Sequence, residues 1–409
     1  MFKATTRTLL IRKSTLSKSF SLHHQKASFR VLVLGGYGSF GKRITSQLFK
    51  DNDVNTPQEI VIAGRNLASA NQFRDELIQN TSSSSSFRVQ TSLVDVNDER
   101  SLKDCLQQTK PNLVIHTCGP FQGQNFHVAE QCIDRGINYI DLSDSREFVA
   151  NFSDKLHDKA VKNDVLAVCG ASTVPGLSSA VLNEVLKHDL SEITSIDSCL
   201  SPGNRAHIGE STMRSILSYC GKPIPMFLNG KLENVIGWQG VKRAQFPDGI
   251  GTRYVAFCET PEVEIFPKIY PTLKNLEFRA GVELNMFQFS VVGMSYLAQA
   301  GIVKDWSVYS PLFKTMSGWF YNFGSDRGGM QMIINGLDKN GKEKTITWNL
   351  IAKGGDGPMI PAIPSICIAK KLARGYVEQK GAIPCAGLFS LDEFMKEVSG
   401  YNIRHEFVK

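Results

Sequence analysis

The sequence predicts an α/β chain: a doubly wound parallel sheet, then a second α+β domain, with the closing segment returning to the first. Three observations carry this. An apolar run at residues 30–35 leads into a glycine loop and then a helical pattern. Strand and helix patterns then alternate with short connections, as in a parallel sheet covered on both faces with right-handed crossovers. Beyond about residue 190 the texture changes to strand-like runs with few helices between them.

In order, RVLVLG reads as a first strand and is followed by a helix to about Lys50, in which Ile44, Leu48 and Phe49 fall on one face. EIVIAG is the second strand, with a helix to about Gln79; FRVQTSLVDV is the third, with a helix through Leu106; NLVIHTCG is the fourth. A helix around Asn125–Arg135 leads to INYIDLS, a helix around Phe148–Asn163 to VLAVCGAS, and a further helix opens at Pro175. Residues 81–86, TSSSSS, form a polar loop insertion. In the second domain ITSIDSCL, RYVAFCE and LEFRAGVEL read as strands, and MQMIINGL and KTITWNLIA flank DKNGKE, where Asn340-Gly341 suits a hairpin turn. Pro361 and Pro364 then stand near the start of the helical segment SICIAKKLARGYVEQ. The predicted division is a leader over 1–29, a dinucleotide-binding domain over 30–190, a substrate and dimerisation domain over 191–353, and a segment over 354–409 that completes the first domain.

Composition excludes several classes. Of 409 residues, 42% are hydrophobic and 21% charged, as in ordinary globular chains and unlike disordered or fibrous ones. The formal charge is +7, yet Lys3, Arg7, Arg12, Lys13, Lys18, Lys26 and Arg30 all precede residue 31, and no acid occurs before Asp51. The remainder is therefore near neutral and lacks the basic face that nucleic-acid binding needs. The acid-free, Ser/Thr-rich leader, with Leu9, Leu10, Ile11, Leu16 and Phe20, reads as a mitochondrial transit peptide; without one, the expectation is cytoplasmic. Nine cysteines are scattered singly, with no CxxC pair, zinc-like Cys/His spacing, HExxH or GxSxG, so no metal is expected. Residues 284–303 carry no charge before Lys304, but Asn285, Gln288, Ser290, Gly293, Ser295 and Gln299 interrupt them. A buried helix is predicted there rather than a membrane span, with a peripheral membrane anchor as the other reading.

Gly36-x-Gly38-x-x-Gly41 has the spacing of a dinucleotide loop. The first glycine allows a tight turn, the second lets backbone approach a pyrophosphate, and the third lets the helix pack on the strand. Amides at that helix start would face the phosphates. NAD-preferring sites carry an acid at the end of the second strand; here the chain reads Ala63-Gly64-Arg65-Asn66, and the Arg65 fork suits a 2′-phosphate. NADP is therefore expected, with NAD possible. Asp95 follows the third strand, where it would meet the adenine edge or cap a helix. Gly119-Pro120-Phe121 follows the fourth, bordering the middle of the cofactor or serving as a plain turn.

Several segments together resemble the saccharopine dehydrogenase-like NAD(P)-dependent oxidoreductases: VLVLGGYGSFGKRI, IVIAGRN, LVIHTCGPFQGQNFHVAEQCIDRGINYIDLSD and VCGASTVPGLSSAV, with weaker support from SPGNRAHIGESTMRSIL and GAIPCAGLF. The resemblance spans most of residues 30–400. It implies a Rossmann domain completed by the C-terminal segment, a second sheet domain for substrate and dimerisation, and an active cleft between them. It carries cofactor contact onto Gly36, Gly38, Ser39, Phe40, Gly41, Arg65, Asp95, Gly119, Pro120 and Phe121. Many members follow the fifth-strand aspartate with a small residue, Gly and Glu. This chain reads Asp141-Leu142-Ser143-Asp144-Ser145-Arg146, which puts saccharopine in doubt as the substrate.

A nicotinamide enzyme must orient an acceptor and handle a proton. His207, in a Gly/Pro-bounded loop beside Arg205 and Glu210, is the leading acid/base candidate, although a lone histidine is commonly a surface or capping residue. Arg205 and Arg253 are candidate carboxylate clamps, or ordinary ion pairs. Cys169 and Ser172 end the sixth strand, near the nicotinamide or simply packed. Tyr270/Lys274 and Tyr376/Lys380 have the Tyr-x-x-x-Lys spacing of short-chain dehydrogenases, but lie far beyond the parallel sheet and read as accidental. The sequence thus points to an NADP-dependent oxidoreductase transferring hydride at a C–N or carbonyl centre of a small metabolite. The alternative is a non-catalytic nucleotide-binding sensor or scaffold.

Overall fold

The computed structural model describes residues 28–50, 57–80, 88–206 and 209–408. The leader, apart from residues 28 and 29, the TSSSSS insertion and His207 lie outside these residues.

The chain opens β1 (Arg30–Leu34), α1 (Ser39–Lys50), β2 (Glu59–Gly64), α2 (Leu67–Gln79), β3 (Arg88–Leu93), α3 (Glu99–Thr109), β4 (Leu113–His116), α4 (His127–Ile133), β5 (Asn138–Asp141), α5 (Arg146–Lys162) and β6 (Leu166–Cys169). A π-helical turn, Thr173–Leu177, then runs into α6 (Ser178–His188). Every neighbouring pair of the first sheet is parallel. β2 and β4 are buried along their whole length, as continuous apolar runs covered on both faces must be. β3 lies at one edge, and its more polar RVQTSL is correspondingly exposed.

The second domain follows as β7 (Glu192–Ser201), α7 (Glu210–Ser218), β8 (Pro223–Leu228), β9 (Lys231–Ile236), β10 (Lys242–Phe246), β11 (Gly251–Phe257), α8 (Glu262–Ile269), β12 (Asn275–Ala280), α9 (Asn285–Gln299), α10 (Ser310–Trp319), β13 (Gly328–Leu337) and β14 (Glu343–Ala352). The close of the chain is α11 (Ile363–Arg374), β15 (Gly381–Pro384), α12 (Leu391–Glu397) and β16 (Ile403–Val408). The first sheet has the order β15-β6-β5-β4-β1-β2-β3, so the C-terminal segment adds its outermost strand. The second sheet is mixed, ordered β10-β11-β12-β7-β13-β14-β16, with the β8–β9 hairpin beside β12. The final strand pairs with β14, so the closing segment serves both sheets. The hairpin signal holds: β13 and β14 pair antiparallel, and the loop is pinned by Asp338 Oδ1, which accepts from the amides of Asn340 and Lys342 at 2.7 and 3.0 Å.

The predicted buried helix is a correction. α9 buries only Gln288 and Ser295, while Met286, Phe289 and Tyr296 are 56%, 48% and 57% exposed. The polar residues turn inward because they have partners there. Gln288 Oε1 accepts from the Val282 amide at 2.9 Å, and Ser295 Oγ donates to the Gly237 carbonyl at 2.8 Å. Among the described residues no helix is long and apolar enough to cross a membrane.

Candidate dinucleotide and substrate site

The strand order reverses direction between β1 and β4, and open α/β sheets take ligands in the crevice beyond the strand ends at such a point. The loops after both strands meet there: Thr117 Oγ1 donates to the Leu34 carbonyl at 2.8 Å.

The glycine loop is shaped by close contacts. Gly35, not Gly36, takes the left-handed turn, at φ +75°. A Cβ on Gly36 would lie 2.9 Å from the Val33 carbonyl oxygen and 3.0 Å from the Ile62 side chain, and one on Gly41 would fall 2.2 Å from the Gly35 carbonyl oxygen. Helix α1 can therefore approach β1 only without a side chain at residue 41. Gly38 differs, because its Cβ would meet a single atom within reach, the Gly35 carbonyl oxygen at 3.0 Å, and the residue is exposed. The amide of Lys42 makes the first helical bond, to the Gly38 carbonyl at 2.9 Å, so the amides of Ser39, Phe40 and Gly41 head the helix with no acceptor inside it. No acid stands in that first turn. An open cradle with unpaired amides fits a diphosphate.

Tyr37, a residue the sequence analysis passed over, joins this loop to the end of β2. Its ring lies where a Gly64 Cβ would be, and its hydroxyl accepts from the Asn66 amide at 2.8 Å. Arg65 directly follows the carboxyl end of β2, exposed, with no hydrogen bond or ion pair among the described residues. Both Arg65 and Asp95 act electrostatically on Cys118, whose thiol burial pushes up to about 12. Asp95 Oδ1 accepts from the Asn97 amide at 3.0 Å, and helix α3 is capped by Asp98 instead.

At β4, the Gly119–Pro120 peptide is cis, and Gln124 holds the loop through the Cys118 and Pro120 carbonyls at 2.9 and 2.6 Å. Phe121 packs edge-on against His116 and Phe148 while lining the cavity described below. Beneath the loop, Asp141 accepts from the amides of Ser143 and Gly170, both at 2.9 Å, which ties together the ends of β5 and β6. Burial raises its carboxyl to about 7 against those two donors. His116 Nδ1 and the Tyr139 hydroxyl meet at 3.0 Å, and burial lowers the imidazole to about 3.

A cavity of about 350 Å³ lies between the domains. Phe40, Gly119, Pro120, Phe121 and Ser172 border it from the first domain, and Leu200, Phe278, Met330 and Leu350 from the second sheet. Three polar side chains bridge the two sides: Gln122 Nε2 donates to Asp144 Oδ1 at 3.2 Å and to Ser215 Oγ at 2.6 Å, and Ser215 Oγ donates to Asp144 Oδ2 at 2.8 Å. Glu259 also lines the cavity. Its partner Arg146 lies 3.3 Å away and is shared with Glu264 at 2.7 Å, and burial raises the Glu259 carboxyl. Asp144 could have been picked out as the acid just past the fifth strand; its partner Ser215 comes from α7 and left no local signal.

The remaining candidates lie as follows. Arg205 is exposed beside the cavity loop and donates to the Asn322 carbonyl at 3.4 Å. Arg253 pairs with Glu283 at 2.9 Å, both nearly buried, and that carboxylate also takes the amides of Asn204 and Ser325. Cys169 is fully buried at the end of β6, its Sγ 3.9 Å from the Val149 carbonyl oxygen and its thiol raised well above the usual range by burial. Tyr270 is buried at the end of α8, and Tyr376 is exposed beyond α11, both outside the crevice. Among the described residues no group of His, Cys, Asp and Glu could hold a metal ion.

Fold and loop define a doubly wound nucleotide-binding domain joined to a second sheet domain. Residues 31–168 match the model of the saccharopine dehydrogenase NADP binding domain, so this part of the chain is similar to the NADP-binding domain of that family. It is 28% identical over 160 residues, 38% of its length, to a probable mitochondrial saccharopine dehydrogenase-like oxidoreductase of Arabidopsis thaliana. It is 25% identical over 172 residues, 40% of its length, to a carboxynorspermidine synthase of Vibrio cholerae. The matched stretches span only 34% and 41% of those two relatives. Among solved structures, the saccharopine dehydrogenase (L-Glu forming) of Saccharomyces cerevisiae shares the fold at a TM-score of 0.62 and 15% identity, covering 93% of this chain and 100% of that one.

Proposed function

We propose that the protein is an NADP-dependent oxidoreductase that transfers hydride at a C–N or carbonyl centre of a small metabolite. The observation that carries this is the open, acid-free start of α1, facing a cavity that both domains wall. Gly36, Gly38, Ser39, Phe40 and Gly41 would hold the diphosphate, Arg65 the 2′-phosphate, Asp95 the adenosine end, and Gly119, Pro120 and Phe121 the nicotinamide side. NADPH, when bound, supplies the hydride; for a C–N centre the carbon takes it and the nitrogen takes a proton, giving an amine. The chain's own part is to seat the acceptor, exclude water with the apolar walls and pass that proton. His207 remains the proposed acid/base, Arg205 and Arg253 the proposed clamps, and Cys169 a proposed member of the site, joined by Asp144, whose carboxylate lines the cavity with hydroxyl and amide partners.

A mitochondrial address and a homodimer belong to the same proposal. The relative described as mitochondrial supports the first, and the exposed apolar side chains of α9 and α10 offer the second a surface. The test is a fluorescence titration of the purified protein with NADPH and NADH. We expect NADPH to bind more tightly, and Arg65→Ala to weaken NADPH by about tenfold or more with little effect on NADH, as loss of one charge-assisted pair requires. Equal weakening would refute the 2′-phosphate contact, and no binding of either nucleotide would refute the function.

A further inference from the structure

The walls of the cavity have a definite chemistry. Phe121, Leu142, Leu200, Phe278, Met330 and Leu350 make it apolar, and its charged lining among the described residues is acidic: Asp144, Glu259 and Asp326. No cation belongs to the lining among the described residues, and of those nearby Arg205 is exposed and donates only to the Asn322 carbonyl, whereas three others are held by carboxylates. Arg146 serves Glu259 and Glu264 together, Arg253 is locked to Glu283, and Arg279 pairs with Glu277 at 2.7 Å beneath the Phe257 ring. Arg214 pairs with Glu210 on the outer side of α7. Asp144 is held by a hydroxyl and an amide, neither of which cancels its charge. A separate observation points to a polar group in the ligand: Ser201, at 0% exposure, lines the cavity with an Oγ that has no hydrogen-bond partner.

An amino or keto acid would bring carboxylates into this lining, next to Asp144 and Glu259, and a carboxylate stripped of water beside like charge is strongly disfavoured. An alkyl chain suits the walls, and a protonated nitrogen suits the acids. We infer that the substrate is an amine, or the imine derived from it, on an apolar body that carries no carboxylate, with its nitrogen seated at Asp144. The inference rests on the oxidoreductase reading for its chemistry and takes the place of the carboxylate-clamp role proposed for Arg205 and Arg253, while the preference itself is a property of the cavity.

The experiment is calorimetry on the full chain, with and without saturating NADPH, using octylamine and 8-aminooctanoate as a pair differing only by the terminal carboxylate. Octylamine is expected to bind about tenfold or more tightly than 8-aminooctanoate, the size of one uncompensated buried charge. Asp144→Asn is expected to reduce octylamine affinity by about fivefold or more, with NADPH affinity unchanged. The inference is overturned if 8-aminooctanoate binds equally or better, or if octylamine fails to bind at about 10 mM, weaker than any useful site. The wild-type pair alone decides this, should the variant fold poorly. Binding of octylamine without any binding of NADPH would sink the oxidoreductase reading and leave the cavity assignment standing; binding of NADPH with preference for the carboxylate would do the reverse.

Discussion

Gly38 and Gly41 sit three residues apart in one motif and are glycines for different reasons. At Gly41 a methyl group would meet backbone, the Gly35 carbonyl oxygen at 2.2 Å and the Gly36 Cα at 2.7 Å, and backbone inside a packed turn cannot step aside cheaply. At Gly38 the same methyl would project toward the open cradle. Gly41→Ala should therefore lower stability by roughly 2 kcal/mol or more and also abolish NADPH binding. Gly38→Ala should change stability by less than about 1 kcal/mol yet weaken NADPH clearly, because within the protein it meets a single atom, the Gly35 carbonyl oxygen at 3.0 Å. Chemical denaturation and nucleotide titration of both variants check this; equal losses of stability would contradict the division of labour. Much of this was legible, because glycine spacing reports local sterics. Two details were not. The turn proper falls on Gly35, one residue before the motif, and Tyr37 fills the place left by Gly64, a contact across 27 positions of chain that no local pattern encodes.

Between elements, buried carboxyls hold the scaffold. Asp141 joins the ends of β5 and β6, and Glu262, at the start of α8, takes a hydrogen bond from Thr260 Oγ1 at 3.1 Å; burial raises both to about 7. In each case the native carboxyl keeps a proton that the unfolded chain releases near pH 4, so the contribution to stability is full below about pH 4 and is lost as pH rises toward about 7. Urea denaturation between pH 5 and pH 8 should show wild-type stability falling by an amount on the order of a few kcal/mol, and Asp141→Asn should fall less. Identical pH dependence in the two proteins would remove Asp141 from the account. The strands and helices themselves were read well wherever apolar periodicity was strong, as in β1, β2 and β4. The reading failed at α9, where apolar content suggested burial and the hydrogen-bonding needs of Gln288 and Ser295 turned the helix the other way.

For the whole molecule, the sheet order places the glycine loop at the point where the strand order reverses, and the return of β15 and β16 ties the closing segment into both sheets. The strand order of the first sheet was not read from the sequence, but its parallel, doubly wound character was legible from the strand–helix alternation. The Gln122–Asp144–Ser215 bridge across the cavity was not, since it depends on how α7 docks against loops far from it in sequence. What the molecule as a whole is built to do turns on whether the head of α1 receives a diphosphate. Amide hydrogen exchange across residues 36–43, followed by mass spectrometry with and without saturating NADPH, measures this directly. Strong slowing of exchange in that peptide on addition of NADPH is the predicted result; unchanged exchange there, with protection elsewhere or nowhere, would contradict the account.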